Sequence, residues 1–286
     1  MLKQESNKDY HSNSAVSKST LAKMSVNPQY YKWCLDNPQP PSDDLIFGSA
    51  FHKLVLEPQD FDKEFAILPE CNRRTKDGKA LYDDFMAKCY ENGQQVITQD
   101  DYNVICAMRD SVMSNKYAVA LLKGNHEQSM YWVDNFTQIE CKCRPDCYKA
   151  LKGHIIITDL KSCRSADIKA IEKDVVQYAY DLQSFMYSQG VSENLKVPIE
   201  NIDFMFVFVE KKAPYQINIV QANEYVRQRG ENLFREYIGT LKYCRESGNY
   251  YGYMGAENLP NELSLPSYLL KDEKVVDKNT TTIYNE

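Results

Sequence analysis

The stretch CKCRPDCYKALKGHIIITDLK, running from Cys141 to Lys161, decides the fold. It reads as a polar-ended strand, a short basic turn containing Gly153, and a second strand buried through Ile155, Ile156 and Ile157. Acidic and basic residues stand at its ends: Arg144-Pro145-Asp146 on one side, Asp159-Leu160-Lys161 on the other. Side chains alternate across a strand, so Asp159 and Lys161 project from one face and Leu160 from the other. A hairpin brings Asp146 alongside them. Two carboxylates and an ammonium at the end of a buried strand are costly unless something cationic binds there, and a divalent metal fits that need.

With 286 residues, the chain is near the upper size of a single hydrophobic core. Apolar residues make up 43% and charged residues 26%, which places it among soluble globular proteins. No run approaches the roughly 18 apolar residues of a membrane span, and MLKQESNKDYHSNS at the start has no apolar signal segment. An intracellular protein without membrane contact is expected. Nine cysteines then read as reduced thiols rather than a disulfide framework. Cys141, Cys143, Cys147 and Cys163 raise a zinc or iron–sulfur site, but no C-x-x-C pair is present, and small buried cysteines are the favoured reading. A net charge of −6 speaks against nucleic-acid binding by the whole surface, though not against a basic groove inside an acidic exterior.

Along the chain, the polar residues 1 to about 15 read as frayed. Val16-Ser17-Lys18-Ser19-Thr20-Leu21 opens a helix whose apolar stripe would include Leu21, Met24, Tyr30 and Trp33. Its start is either a plain cap or a phosphate contact. After a proline-rich linker, residues 43–57 predict a helix with Leu45, Gly48, Phe51 or His52 and Val55 on one face; His52 is then a core residue or a ligand. Residues 60–79 read as irregular, ending in a basic loop with Arg73 and Arg74 that is either solvated or touches a phosphate backbone. Helices follow over 80–92 and 98–114.

From Glu127 the period changes to that of strands, with a hairpin over 127–143 and His154 to Lys161 as its third strand. Glu127 either points into the corner of Asp146 and Asp159 or is an exposed strand-end acid. One long helix is expected over 168–189, with Gln183 and Tyr187 four apart on one face. The apolar run of residues 203–209 predicts a central strand, residues 215–221 its hairpin partner, and residues 223–245 an amphipathic helix.

Hydrolysis of a phosphodiester needs hard oxygen ligands for one or two Mg2+ ions and a cation beside the attacking water. Asp146, Asp159, the Leu160 carbonyl and Lys161 supply such a set. Arg144-Pro145-Asp146 with Asp159-Leu160-Lys161 resembles the PD-(D/E)XK nuclease signature. Gly48-Ser49-Ala50-Phe51-His52 and Gln183-Ser184-Phe185-Met186-Tyr187 resemble motifs of its RecB-like branch. Val16-Ser17-Lys18-Ser19, Leu56-Glu57-Pro58, Asn72-Arg73-Arg74-Thr75, Tyr131-Trp132 and Leu263-Ser264-Leu265-Pro266 extend the likeness to the exonuclease VIII (RecE-type) nucleases, from about residue 10 to residue 270. A local departure is Leu160-Lys161-Ser162-Cys163, where a Val-Lys-Thr-Thr-like run is commoner in that family.

The resemblance implies an α/β (mixed α+β) nuclease core, a central mixed sheet flanked by helices with an N-terminal helical region. Residues 1–15 would be a disordered N-terminus. Residues 16–270 would be a single exonuclease domain, mainly helical over 16–125 and with sheet core and flanking helices over 126–246; residues 271–286 would be a polar tail. It also implies an Mg2+-dependent, ATP-independent 5′-to-3′ exonuclease on linear duplex DNA, with Mn2+ substituting and Ca2+ binding without much activity. His52, Asp146, Asp159 and Leu160 would hold the metal, with Lys161 and Glu127 beside it. Gln183 and Tyr187 would contact the DNA backbone, as would Ser17, Lys18, Ser19, Arg73, Arg74 and Arg144. Expected partners are DNA ends, a ring-shaped homo-oligomer of three or four subunits and a single-strand annealing protein of RecT/Beta type, in a bacterial cytoplasm with the gene carried by phage or prophage. A restriction- or repair-type endonuclease keeps the same metal site; a non-catalytic DNA-end-binding protein has little reason to keep three costly buried charges.

Overall fold

The computed structural model describes residues 1–266; the expected tail over 271–286 lies outside them. In chain order the elements are β1 (Leu2–Lys3), α1 (Asn7–Ser12), α2 (Lys18–Leu21), α3 (Pro28–Asp36), α4 (Asp43–Leu56), α5 (Phe61–Glu64), β2 (Phe65–Ile67), α6 (Lys76–Asn92), β3 (Gln95–Ile97), α7 (Gln99–Ser114) and α8 (Lys116–Leu121). The second half holds β4 (Asn125–His126), β5 (Ser129–Val133), β6 (Glu140–Cys143), β7 (Cys147–Leu151), β8 (His154–Cys163), α9 (Ile168–Gln177), α10 (Tyr180–Leu195), β9 (Ile202–Glu210), β10 (Ile217–Gln221) and α11 (Glu224–Ser247). No helix among the described residues is long and apolar enough to cross a membrane.

A five-stranded mixed sheet, ordered β10-β9-β8-β7-β4, forms the centre. β8 and β9 run parallel, Asp159 opposite Phe206 and Lys161 opposite Phe208, while β7 and β10 flank them antiparallel. The parallel pair is buried on both faces, hence its near-continuous run of Ile, Phe and Val. On one face Ile155, Ile157, Phe204, Phe206 and Phe208 pack against α10 and α11 through Leu182, Phe185, Phe234 and Ile238. On the other, Leu160, Val207 and Val209 meet Phe47, Phe51 and Leu54 of α4 and Ile105 and Met108 of α7.

Several expectations need correcting. β5 and β6 pair as expected, but with β1 in a separate three-stranded sheet. The partner of β8 is β7, read in the sequence as part of a short basic turn. The helix expected over 168–189 is two, broken where Ala179 takes a left-handed conformation (φ 51°) between α9 and α10. α6 starts at Lys76, capped by Thr75, so half of the basic loop is helical. Tyr30, Trp33 and Leu45 are exposed rather than packed; Tyr31 and Phe47 take the buried places. Residues 1–15 are not frayed: they supply β1 and α1, with Tyr10 buried. Cys141, Cys143, Cys147 and Cys163 are buried free thiols in the two core clusters.

Candidate metal centre and active site

The site is assembled where β7 begins late. β7 pairs with β8 from Cys147 opposite Thr158, so beyond that point the β8 backbone has no strand neighbour on this side among the described residues. A buried N–H must find an acceptor, and Asp146 supplies it: its Oδ2 accepts from the Leu160 N–H at 2.7 Å. A residue's N–H and C=O leave the same edge of a strand, so the Leu160 carbonyl faces the same gap. Burial pushes the Asp146 carboxyl upward, but the nearby His52 and Lys161 and the Leu160 N–H hold it below the ordinary carboxylate range.

One residue before Leu160, Asp159 is 1% exposed. Its Oδ1 accepts from Gln183 Nε2 at 2.5 Å, and Lys161 Nζ lies 2.5 Å from Oδ2. Lys161 thus pairs its ammonium with Oδ2, the carboxylate's other oxygen. Burial dominates the titration and pushes Asp159 up to about 6, against the attraction of Lys161 and with the repulsion of Asp146. For Lys161, burial opposes the charge, but Asp159 and Asp146 outweigh it and raise its pKa above the ordinary lysine value. The face of Tyr180 lies 5.0 Å from the ammonium. The break at Ala179 makes this possible: α10 restarts at Tyr180 and carries Tyr180 and Gln183 onto the β8 face.

From the other side, α4 brings His52, whose Nδ1 is 3.4 Å from Asp146 Oδ2. Burial would lower the imidazole's pKa, yet Asp146 wins and raises it. Glu127, in a left-handed conformation (φ 50°) between β4 and β5, completes the corner. Burial and Asp146 push Glu127 up to about 8. Ligand atoms of His52, Glu127 and Asp146 lie within 4.8 Å of one another, the group among the described residues able to hold a metal ion. Asp159 adjoins this trio rather than joining it. Glu127, open between two readings from the sequence, therefore points into the corner.

The remaining expected contacts divide. Gln183 is buried, and its amide faces Asp159 rather than any surface that DNA could reach. Tyr187 is half-buried and lines the cavity of about 720 Å³ that opens onto His52, Glu127 and Asp146. Ser17 caps α2 and shares its hydroxyl with Ser19 at 3.0 Å. Lys18 lies near the site: its Nζ donates to the Tyr178 carbonyl at 2.6 Å and lies 5.4 Å from the centre of the Tyr180 ring. Burial and the Lys161 charge push Lys18 down to about 8. Arg73 stacks on Tyr82 and, like Arg74, lies outside the cavity lining. Arg144 is not free for DNA: its Nε donates to the Glu127 carbonyl at 2.9 Å and its Nη2 to the Glu5 carbonyl. Tyr180 and the cavity-lining segment Gln4–His11 escaped the sequence reading. For Tyr180 the spacing Tyr180-x-x-Gln183 on one helix face was the available signal.

Residues 17–256 match the family model described as a PDDEXK-like domain of unknown function (DUF3799). A solved candidate exonuclease from Eubacterium rectale aligns over 94% of this chain and 99% of its own at 14% identity, with a TM-score of 0.59, which shows a shared fold. A second structure, the protein SSO0001, aligns over 66% of this chain and 85% of its own at 14% identity with a TM-score of 0.28, too low to bear on the fold. No curated protein sequence matches the chain.

Proposed function

The chain belongs to the PDDEXK-like family, and on that premise we propose that it is a metal-dependent nuclease, specifically an ATP-independent exonuclease degrading the 5′-ended strand of linear duplex DNA. The observation carrying this reading is the convergence of Asp146, just before β7, with Asp159 and Lys161 inside β8, and with His52 and Glu127 closing the corner.

The donor set fits a hard divalent cation. Two crowded carboxylates and an imidazole face one another at the cavity, with the buried Asp159 carboxylate beside them. His52, Asp146, Asp159 and the Leu160 carbonyl would hold Mg2+, or Mn2+ in its place, with Glu127 on the cavity side. A bound cation of this type acidifies water and neutralises charge on the phosphate. Because the His52 ring is unusually basic, binding through it requires loss of a proton. Lys161 is charged at neutral pH, so it acts by orienting the attacking water and donating to the phosphate oxygens rather than by taking a proton. Gln183 fixes the Asp159 carboxylate, Tyr180 fixes the lysine, and Tyr187 shapes the cavity wall. Lys18, which shares the Tyr180 ring with Lys161, would meet a neighbouring backbone phosphate.

The reading extends to 3′ overhangs made for phage-type recombination, to a ring-shaped trimer or tetramer and to a single-strand annealing partner in a bacterial cytoplasm. Those extensions rest on the exonuclease VIII resemblance in the sequence. Linear duplex with Mg2+, with and without a 5′-phosphate, tests the activity. Nucleotides should be released by the natural protein and not by Lys161→Ala; absent release, or release unchanged in the variant, refutes the assignment, and cutting of closed circular DNA points to an endonuclease.

A further inference from the structure

Glu127 is the member of the metal corner that no regular element holds. It lies in the connection between β4 and β5, and its backbone is left-handed (φ 50°), a conformation that disfavours a residue carrying a Cβ. Backbone conformation sets where the Cβ points, so the carboxylate meets His52 and Asp146 only while that conformation is fixed. Two hydrogen bonds fix it. The Glu127 N–H donates to the Asp146 carbonyl at 3.3 Å, and the Glu127 carbonyl accepts from Arg144 Nε at 2.9 Å. The Arg144-Pro145-Asp146 turn therefore grips Glu127 from both ends, once through main chain and once through a side chain.

Arg144 is itself held on several sides. Its side chain is 9% exposed, and its guanidinium lies 5.3 Å from the centre of the Tyr10 ring. Nη2 donates to the Glu5 carbonyl and Nη1 to Asn7 Oδ1 at 3.4 Å. Lys142 steadies the same ring at 4.5 Å and donates to the Tyr10 and Asn13 carbonyls. The Glu127 carboxylate stands 3.6 Å from Arg144 Nε, beyond hydrogen-bond length. The guanidinium thus attracts that carboxylate without occupying its oxygens, which stay available to a cation. We propose that Arg144 is the positioning residue of the metal corner: it locks Glu127 in the conformation that aims its carboxylate at His52 and Asp146, and it makes the segment Gln4–His11 part of that support. The inference rests on the nuclease reading above and concerns how the metal corner of that site is assembled.

Calorimetric titration of the metal-free protein with Mn2+ measures this without cleavage. Two effects of opposite sign compete. Removing a positive charge beside a cation site tightens cation binding. Releasing Glu127 weakens it by about tenfold or more, as when other groups that orient a metal ligand are removed. Arg144→Met and Arg144→Lys should both lose about tenfold or more, with circular dichroism reporting the fold. Lysine keeps the charge but lacks the planar fork that reaches Glu127 and Glu5 together. Glu127→Gln alone should weaken binding, and adding Arg144→Met to it should weaken it no further, because the arginine acts through that carboxylate. An arginine that merely supported the fold would give losses that add. Unchanged or tighter binding in folded Arg144→Met, full affinity in folded Arg144→Lys, or additive losses each overturn the proposal. If neither arginine variant folds, hydrogen exchange of the natural protein decides. Mn2+ should then slow exchange across residues 4–11 together with Glu127, and slowing that spares residues 4–11 overturns the proposal. Absence of Mn2+ binding by the natural protein removes the nuclease reading itself, and this inference with it.

Discussion

Replacing Gln183 with methionine nearly preserves the volume of a buried side chain but deletes the amide that donates to Asp159 Oδ1 at 2.5 Å. A hydrogen bond to a charged group contributes roughly 1.5–3 kcal/mol. At about 1.4 kcal/mol per pH unit, its loss raises the Asp159 pKa by about one to two units. The starting point is already high, about 6 in the folded protein against an ordinary 3.8, chiefly from burial. The native state thus holds a proton that the unfolded chain has lost. Stability from this group is complete at acid pH and declines as pH rises through the folded value. In Gln183→Met the decline runs further. The gap in stability between the two proteins should be small at about pH 5, where the carboxyl is largely neutral in both, and reach roughly 1.5–3 kcal/mol by about pH 8. Urea unfolding of the metal-free proteins at the two pH values measures it. An equal gap at both would refute the reasoning, since lost packing is indifferent to the charge on Asp159.

Lys161→Ala should slow nucleotide release by roughly 100- to 10,000-fold while binding of duplex DNA persists; a change in binding alone would mean that the lysine serves affinity and not the reaction. Asp146→Asn keeps an acceptor for the Leu160 N–H but removes a ligand charge, so titration calorimetry should show Mn2+ affinity reduced by about tenfold or more, and an unaltered isotherm would place the metal elsewhere. With Ca2+ in place of Mg2+, DNA should bind but release should drop by at least about 100-fold, because loose coordination holds the attacking water poorly; comparable turnover would contradict that account. At Gly230 a Cβ would lie on the Asp181 carbonyl oxygen, so Gly230→Ala should push α11 off α10 and cost roughly 1–3 kcal/mol in urea unfolding, whereas a neutral result would show that the helices can separate without loss.

The acid-acid-lysine set was legible because strand alternation alone fixes which faces Asp159, Leu160 and Lys161 occupy. β9 was visible from its apolar run and α4 from its acidic start and the proline beyond its end. Residues whose conformation is decided by distant partners were not visible. Ala179 carries no helix-breaking signal, yet the break there aims Tyr180 and Gln183 at the site. Lys149, Lys152 and Gly153 suggested a turn, although pairing with β8 makes residues 147–151 a strand. Gln183 was expected at the DNA backbone through the family resemblance; only the fold shows it meeting a buried carboxylate. The polar N-terminal residues could not be placed because their anchors, Lys142 and Arg144, lie more than a hundred residues away. Thr75 ahead of Asp77 and Gly78 was a capping signal obscured by its basic neighbours.

β8 belongs to two cores at once, contributing Ile155, Ile157 and Cys163 to one cluster and Leu160 to the other. Asp159 and Lys161 therefore occupy a strand that neither half of the molecule can hold in place alone. Opening of the α4–α7 side or of the α10–α11 side would each release it, so the site has no independent folding unit of its own. Its lifetime is that of the least stable half, and heat inactivation should track the first cooperative melting step rather than the last.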